Sequence, residues 1–159
     1  MGHRITTQNR GKGGPAYRVP SHRYKAALRH ASSGTTTVKG IVVDIEHDPA
    51  RHTPIALVKL EDGSRMYMLV TEGIGVNDEV SWGPEGEVRN GNTLPLSAIP
   101  TGAYVCNIEA RPNDGGKFVR ASGVQAIVVD KTAERVGVQM PSGVTKWFNA
   151  SCRATIGIV

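Results

Sequence analysis

The chain has 159 residues, with 19 Gly, 9 Pro, only 5% aromatic residues and a formal net charge of +5. Residues 1–43 contain eight Lys and Arg but no Asp or Glu, whereas residues 44–159 carry eleven Lys and Arg against fourteen Asp and Glu, a net −3. No apolar run approaches about 18 residues and no Cys-x-x-Cys occurs, which excludes a membrane span and a zinc ribbon. We therefore expect a soluble, intracellular protein with two buried thiols and a basic arm that binds a polyanion.

Residues 1–37 show no sustained helical or strand period and are predicted to form an extended arm. Ser21 is predicted to cap one or two helical turns over residues 22–29, a helix that would be basic on most of its surface with little to bury. Cations and flat rings are interleaved here, and cations can pair with the phosphates of a nucleic acid while flat rings stack on its unpaired bases. The predicted RNA-binding residues of the arm are Arg4, Arg10, Lys12, Arg18, His22, Arg23, Tyr24, Lys25, Arg29 and His30. A basic tail without a dedicated target is the alternative, and a membrane arm is disfavoured because a bulky apolar face is lacking.

From Val38 the pattern changes to a period of two, which predicts a half-buried strand with Ile41, Val43 and Ile45 on one side. Residues 54–61 and 64–70 are predicted to form a hairpin around Asp62-Gly63, with the methionines of its second strand in the core. A short strand is predicted over residues 78–82. Several short strands without a convincing helix favour a small antiparallel barrel.

A second set of strands is predicted after Pro100, over residues 104–109, 124–130, 135–140, 144–149 and 153–159. It is again a five-strand pattern with little helix, so the boundary between the two sets is placed within residues 93–102. Each half has about sixty residues, a size at which a single core is marginal. We therefore expect the halves to lean on each other or on a partner.

The loop of residues 114–123 is the most informative stretch of the body. Its glycines allow another surface to approach the backbone closely, and Lys117 and Arg120 are predicted to meet phosphate. Phe118 is expected to plug the end of a barrel, with stacking on a base as the alternative. A flexible, solvated hairpin is the alternative for the loop as a whole.

No stretch carries a convincing metal or catalytic signature. The residues from His47 to His52 do not have the spacing of a helical zinc motif, and Pro49 forces a turn, so a solvent-facing turn is predicted. Nucleophile-elbow and phosphate-loop motifs are absent, and nothing pairs a nucleophile with a base. An enzyme is therefore disfavoured, and no catalytic or metal-binding residue is predicted.

Six long strings of residues resemble the family of universal large-subunit ribosomal protein two in its archaeal and eukaryotic form. The resemblance runs essentially end to end. The strings are Gly2-His-Arg-Ile5, Pro20-Ser-His-Arg-Tyr-Lys25, Val42-Val-Asp-Ile-Glu-His-Asp-Pro-Ala-Arg51, Gly91-Asn-Thr-Leu-Pro-Leu96, Gly115-Gly-Lys-Phe-Val-Arg-Ala-Ser-Gly123 and Cys152-Arg-Ala-Thr-Ile-Gly157.

The resemblance implies a mostly β protein: a basic arm at residues 1–37, an OB-fold-like barrel at residues 38–92 and an SH3-like barrel at residues 93–159. It also implies a cytoplasmic component of the large ribosomal subunit that binds large-subunit rRNA. Family members support assembly, subunit association and the peptidyl transferase region, whose catalyst is RNA. They continue past the last string into a basic extension, and because this sequence ends at Val159, roles of that extension are not transferred.

The barrels are then expected to present the 115–123 loop and Arg153 to the rRNA. The expected partners are that rRNA and neighbouring ribosomal proteins, with no membrane, small-molecule substrate or cofactor of the chain's own, and with any Mg²⁺ bound by the RNA. The competing hypothesis is a two-barrel protein-interaction module with a basic tail outside the ribosome. It predicts a protein complex that nuclease does not dissolve.

Overall fold

A computed structural model describes Gly2, residues 5–32 and residues 36–159. Residues 5–32 contain three short 3-10 helices, Thr6–Asn9, Pro15–Tyr17 and Ser21–Arg23. The helix predicted over residues 22–29 is wrong, since helical structure ends at Arg23 and no side chain caps it. A helix of two turns is marginal without a packed apolar face, and residues 24–32 gain more contact with the body as an extended segment.

Ten strands follow. They are β1 (Val38–Glu46), β2 (Ile55–Leu60), β3 (Arg65–Leu69), β4 (Glu79–Trp82), β5 (Thr93–Pro95), β6 (Tyr104–Cys106), β7 (Ala126–Lys131), β8 (Arg135–Gln139), β9 (Thr145–Asn149) and β10 (Arg153–Ile156). They join in one sheet of order β3-β2-β1-β4-β5-β10-β6-β7-β8-β9, in which every pairing is antiparallel except β4 with β5. The mostly β architecture agrees with the sequence prediction.

In β1 the buried face is not the one that carries Ile41 and Val43. Val42 is fully buried, whereas Ile41 and Val43 are 48% and 41% exposed. A β-bulge between Val42 and Asp44 then shifts the register, which allows Ile45 to pack on the core. Because apolar residues stand on both sides of this strand, alternation alone could not identify the inner face.

The β2–β3 hairpin forms at the predicted turn. Gly63 has a φ of +83°, and an Asp62 carboxylate oxygen accepts hydrogen bonds from the amide and the hydroxyl of Ser64 at 2.8 and 2.6 Å. Met68 is buried in the first core, and Met66 packs against that core, as predicted. This first core combines residues of β1 to β4 with Ala31 from the N-terminal segment.

The second core is built by β5 to β10 and the turns between them. Both cysteines are buried and free, as predicted, and burial raises the pKa of Cys106 to about 12 and that of Cys152 to about 11. These thiols are therefore protonated and unreactive near neutral pH.

The two halves lean on each other, as their size predicted. The amide of Glu72 donates to the carbonyl of Ile158 at 2.8 Å, and that of Gly91 donates to Ile156 at 3.0 Å. A third, small apolar cluster combines Leu28, Ile55 and Leu69 with partly buried Tyr67 and Val159. Domain boundaries at 37/38 and 92/93 stay a prediction. Within the described residues no helix is long and apolar enough to span a bilayer.

Candidate nucleic-acid interface

The N-terminal arm has two parts, which we name the exposed segment (residues 5–23) and the docking segment (residues 24–32). In the docking segment burial alternates, with Leu28 and His30 buried and Ala27 and Arg29 exposed. This period of two is that of an extended chain lying on a surface. The arm is therefore not wholly free of the body, and the prediction that residues 22–29 have little to bury is wrong for Leu28.

The docking segment first contacts carboxylates of the first barrel. The Lys25 ammonium donates to Glu46 at 2.7 Å, and the Lys25 amide donates to Asp48 at 3.2 Å. The hydrogen bond and charge of Glu46 raise the pKa of Lys25. Although Lys25 is exposed, as a predicted phosphate ligand should be, its charge already has a protein partner.

Asp48 corrects the prediction of a solvent-facing turn. His47 and His52 are exposed, but Asp48 is fully buried and accepts hydrogen bonds from the amide of Ala50 and from Nε of Arg51, in addition to Lys25. Burial alone would raise the pKa of Asp48, yet these donors outweigh it and lower that pKa. The turn thus fixes the start of the docking segment.

His30 anchors the segment to the second barrel. Its amide donates to Gly115 at 3.2 Å, and its Nε2 lies 2.8 Å from the carbonyl oxygen of Asn107. Because a carbonyl only accepts, Nε2 carries the proton. Burial lowers the pKa of His30 to about 4, so the ring is neutral at pH 7. These contacts support a structural role for His30 in place of the phosphate contact predicted from sequence.

Arg153 is also buried, at 6% exposure, and forms an ion pair with fully buried Glu109. Nη2 and Nε of Arg153 donate to one Glu109 oxygen at 2.8 and 3.2 Å, while Nη1 donates to the carbonyl of Ala31 at 2.6 Å. Burial would raise the pKa of Glu109, but the hydrogen bonds and charge of Arg153 lower it. The guanidinium thus joins the docking segment to the second barrel. It does not lie on the surface, where the predicted contact with RNA would require it.

The glycines of the 115–123 loop serve the fold first. A Cβ at Gly115 would lie 3.0 Å from Cβ of Arg29, and one at Gly116 would lie 2.3 Å from Oδ1 of Asn107. Both glycines have a positive φ, +86° and +91°. The surface that approaches this backbone closely is therefore the chain's own docking segment and strand end.

Arg120 of the same loop is half-buried. Its guanidinium donates to the carbonyls of Gly116 at 3.1 Å and Leu28 at 3.4 Å. Burial, followed by the nearby charge of Arg51, lowers its pKa. Arg51 was not predicted as a site residue, and its guanidinium already pairs with buried Asp48 at 2.8 Å. Lys117 is exposed, and its phosphate contact stays a prediction.

Phe118 packs as a plug, the favoured interpretation. It bridges to Ile108, meets Phe148 edge-on at a centroid distance of 5.5 Å, and lies under the Lys146 ammonium at 3.9 Å. Val119, which follows, has a φ of +56°, rare for a β-branched residue, and its carbonyl accepts the amide of Asn107 at 2.8 Å. The loop backbone is thus held in one shape.

The remaining predicted ligands lie on the surface. The exposed ones are Arg10, Lys12, Arg18, His22, Arg23, Tyr24 and Arg29. Arg4 lies outside the described residues. Arg111, which the sequence analysis did not single out, is also exposed, just before the 115–123 loop.

Two barrels, an exposed cationic segment and a rigid basic loop define a β protein suited to binding a polyanion. The family model described as "Ribosomal Proteins L2, RNA binding N-terminal domain" matches residues 2–81, and "Ribosomal Proteins L2, C-terminal domain" matches residues 89–159. The chain therefore belongs to the ribosomal protein L2 family.

Curated relatives are similar along the whole chain. It is 71% identical over 159 residues to "Large ribosomal subunit protein uL2" of Methanoregula boonei, and 70% identical over 160 residues to the protein of that name from Methanosphaerula palustris. The protein of that name from Archaeoglobus fulgidus is 54% identical over 159 residues. All of this chain is covered in each match, and it spans 67% of the length of each of these relatives.

Proposed function

We propose that the chain is a structural component of the large ribosomal subunit in the cytoplasm, where it binds rRNA and is not an enzyme. The family and the names of its relatives support this function. The main observation in favour of the proposed mechanism is the solvent exposure of four cations in the exposed segment: Arg10, Lys12, Arg18 and Arg23. Cations along an exposed segment can follow the phosphates of folded RNA.

Charge also distinguishes the surfaces that face RNA. Residues 38–92 carry five Lys and Arg against ten Asp and Glu, a net −5, whereas residues 93–159 carry seven against four, a net +3. The RNA contacts are therefore assigned to the exposed segment and to Lys117, Arg111 and Arg120 of the second barrel. Through these contacts the chain stabilises rRNA during assembly and supports subunit association and the peptidyl transferase region.

Salt dependence of binding to a large-subunit rRNA fragment tests this assignment. Each duplex phosphate neutralised contributes about −0.9 to the slope of log affinity against log salt. Replacing Arg10, Lys12, Arg18 and Arg23 with Ala should therefore flatten the slope by about 3 to 4. The docking segment stays intact in this variant, which a deletion of the whole arm would not achieve.

The matched control removes four cations from the first barrel, by replacing Lys39, Lys59, Arg65 and Arg89 with Ala. We expect its slope to stay close to that of the unaltered chain. Equal flattening in both variants would show that net charge alone drives binding. A chain that stays in large particles after nuclease treatment would favour the protein-interaction module instead.

A further inference from the structure

A tryptophan lies on the outer face of the second barrel. Trp82, the other tryptophan of the chain, is 1% exposed, whereas Trp147 in β9 is 47% exposed. Trp147 pairs with Gly137 of β8, and two atoms of its six-membered ring lie 3.4 and 3.5 Å from the position of a Cβ on Gly137. The indole therefore lies along the sheet, over a residue without a side chain.

The core does not account for this tryptophan. Its sequence neighbour Phe148, and Val136 and Val138 across the strand pair, are buried in the second core, so Trp147 points to the opposite face. Arg135 and Gln139 alternate with the two valines and flank Gly137 on that same face. Because about half of this large aromatic side chain stays exposed to solvent, it contributes little to the stability of the fold. It is therefore a candidate for contact with a ligand.

The charges beside Trp147 favour an anionic ligand at one end of the platform. Arg135 is exposed and forms no ion pair with any residue in the described ranges 5–32 and 36–159. Asp130 of β7 pairs with Gly137 on the other side and would repel a phosphate there. A flat apolar surface with a cation at one end matches one nucleotide, with its base on the ring and its phosphate on the guanidinium.

We propose that Trp147 stacks on an unpaired base of RNA and that Arg135 binds the adjacent phosphate. This inference rests on the proposed function, because it takes RNA as the polyanion. Bases inside a duplex are already stacked on their neighbours, so the platform should act only on single-stranded nucleotides, such as those of a loop or bulge. Stacking would not depend on base identity, since every base has a π face.

The test uses the full chain with an oligoadenylate RNA and with an RNA duplex of the same length. Trp147→Ala should weaken binding to the single strand by about fivefold to a hundredfold and leave duplex affinity unchanged. Trp147→Phe should retain most of the affinity because it keeps a flat ring. Val144→Ala, which truncates a 65% exposed side chain of the same hairpin, is the control and should bind like the unaltered chain.

Fluorescence gives a second readout, because a stacked base should quench Trp147 and leave buried Trp82 unaffected. Unchanged single-strand affinity of W147A, or an equal loss on both RNAs, would overturn the platform while the proposed function stands. If W147A binds RNA as before but no longer binds a neighbouring protein of the subunit, the proposed RNA contact would be replaced by a protein contact. Failure of the unaltered chain to bind any RNA would overturn both.

Thermal unfolding of each variant confirms that the barrel is intact. Since Trp147 lies outside the core, all three variants should melt within a few degrees of the unaltered chain. If W147A unfolds nonetheless, Arg135→Gln decides the question. It should reduce single-strand affinity by weakening the phosphate contact and leave the indole in place, and an unchanged affinity would overturn the inference.

Discussion

The exposed segment and the docking segment belong to the same acid-free stretch of sequence, yet they meet the body in opposite ways. In residues 5–23 the described side chains face solvent, and the backbone hydrogen bonds of the short 3-10 helices are local, such as the amide of Gln8 to the carbonyl of Ile5. Residues 24–32 instead bury Leu28, His30 and Ala31 and bond to both barrels.

This difference between the two segments shows that the cations of an acid-free stretch can have two kinds of anionic partner. In the exposed segment, cations without carboxylates nearby suit a polyanionic partner. In the docking segment the carboxylates come from the body, since Glu46 and Asp48 accept hydrogen bonds from Lys25. Breaking the docking segment should therefore affect folding, whereas breaking the exposed segment should affect RNA binding.

The largest expected effect follows removal of the buried guanidinium. Arg153→Met keeps most of the side-chain volume but leaves the Glu109 carboxylate buried without its cation and the Ala31 carbonyl without its donor. We expect a loss of about 3–5 kcal/mol in the free energy of unfolding, measured by chemical denaturation. Arg111→Met, a change at an exposed arginine, should lose less than about 0.5 kcal/mol. Equal losses would show that the ion pair does not hold the segment.

The pH dependence of stability tests the anchor at His30. Its folded pKa of about 4 lies below the ordinary value of 6.5, so between these values the unfolded chain binds more protons. Stability from this site is fully present above pH 6.5 and falls as the pH is lowered to 4, by about 3 kcal/mol in total. Denaturation of the unaltered chain and of His30→Gln at several pH values measures the difference, and identical profiles would exclude a buried neutral histidine.

Leu28→Ala should have the next largest effect. It leaves a void between Ile55 and Leu69, and truncations of this kind cost about 2–3 kcal/mol. Val19→Ala makes a similar apolar truncation in the exposed segment, where the side chain is 58% exposed, and should cost less than about 0.5 kcal/mol. A loss at Val19 that matches the loss at Leu28 would contradict the division of the arm.

The sequence predicted what is encoded locally. The Asp62-Gly63 turn, most strand positions and the exposure of Arg10, Lys12, Arg18 and Arg23 follow from backbone preferences and periodicity. The buried positions of Arg153, His30 and Gly115 could not be predicted in this way, because their contacts are with residues 44 to 122 positions away in the sequence. Arginine beside a surface phosphate and arginine on a buried carboxylate look identical in one sequence. The alternation of Leu28 and His30 was the available signal, and a helix prediction concealed it.

The smallest expected effect on stability belongs to the variant in which Arg10, Lys12, Arg18 and Arg23 are all replaced with Ala. None of these side chains is buried, so the free energy of unfolding should change by less than about 0.5 kcal/mol, although the salt dependence of rRNA binding should flatten. Arg153→Met should do the reverse, with lower stability but an unchanged slope below its melting temperature. Denaturation and salt titration of both variants therefore separate the two halves of the arm, and a variant that changed both quantities would show that RNA binding and docking share the same residues.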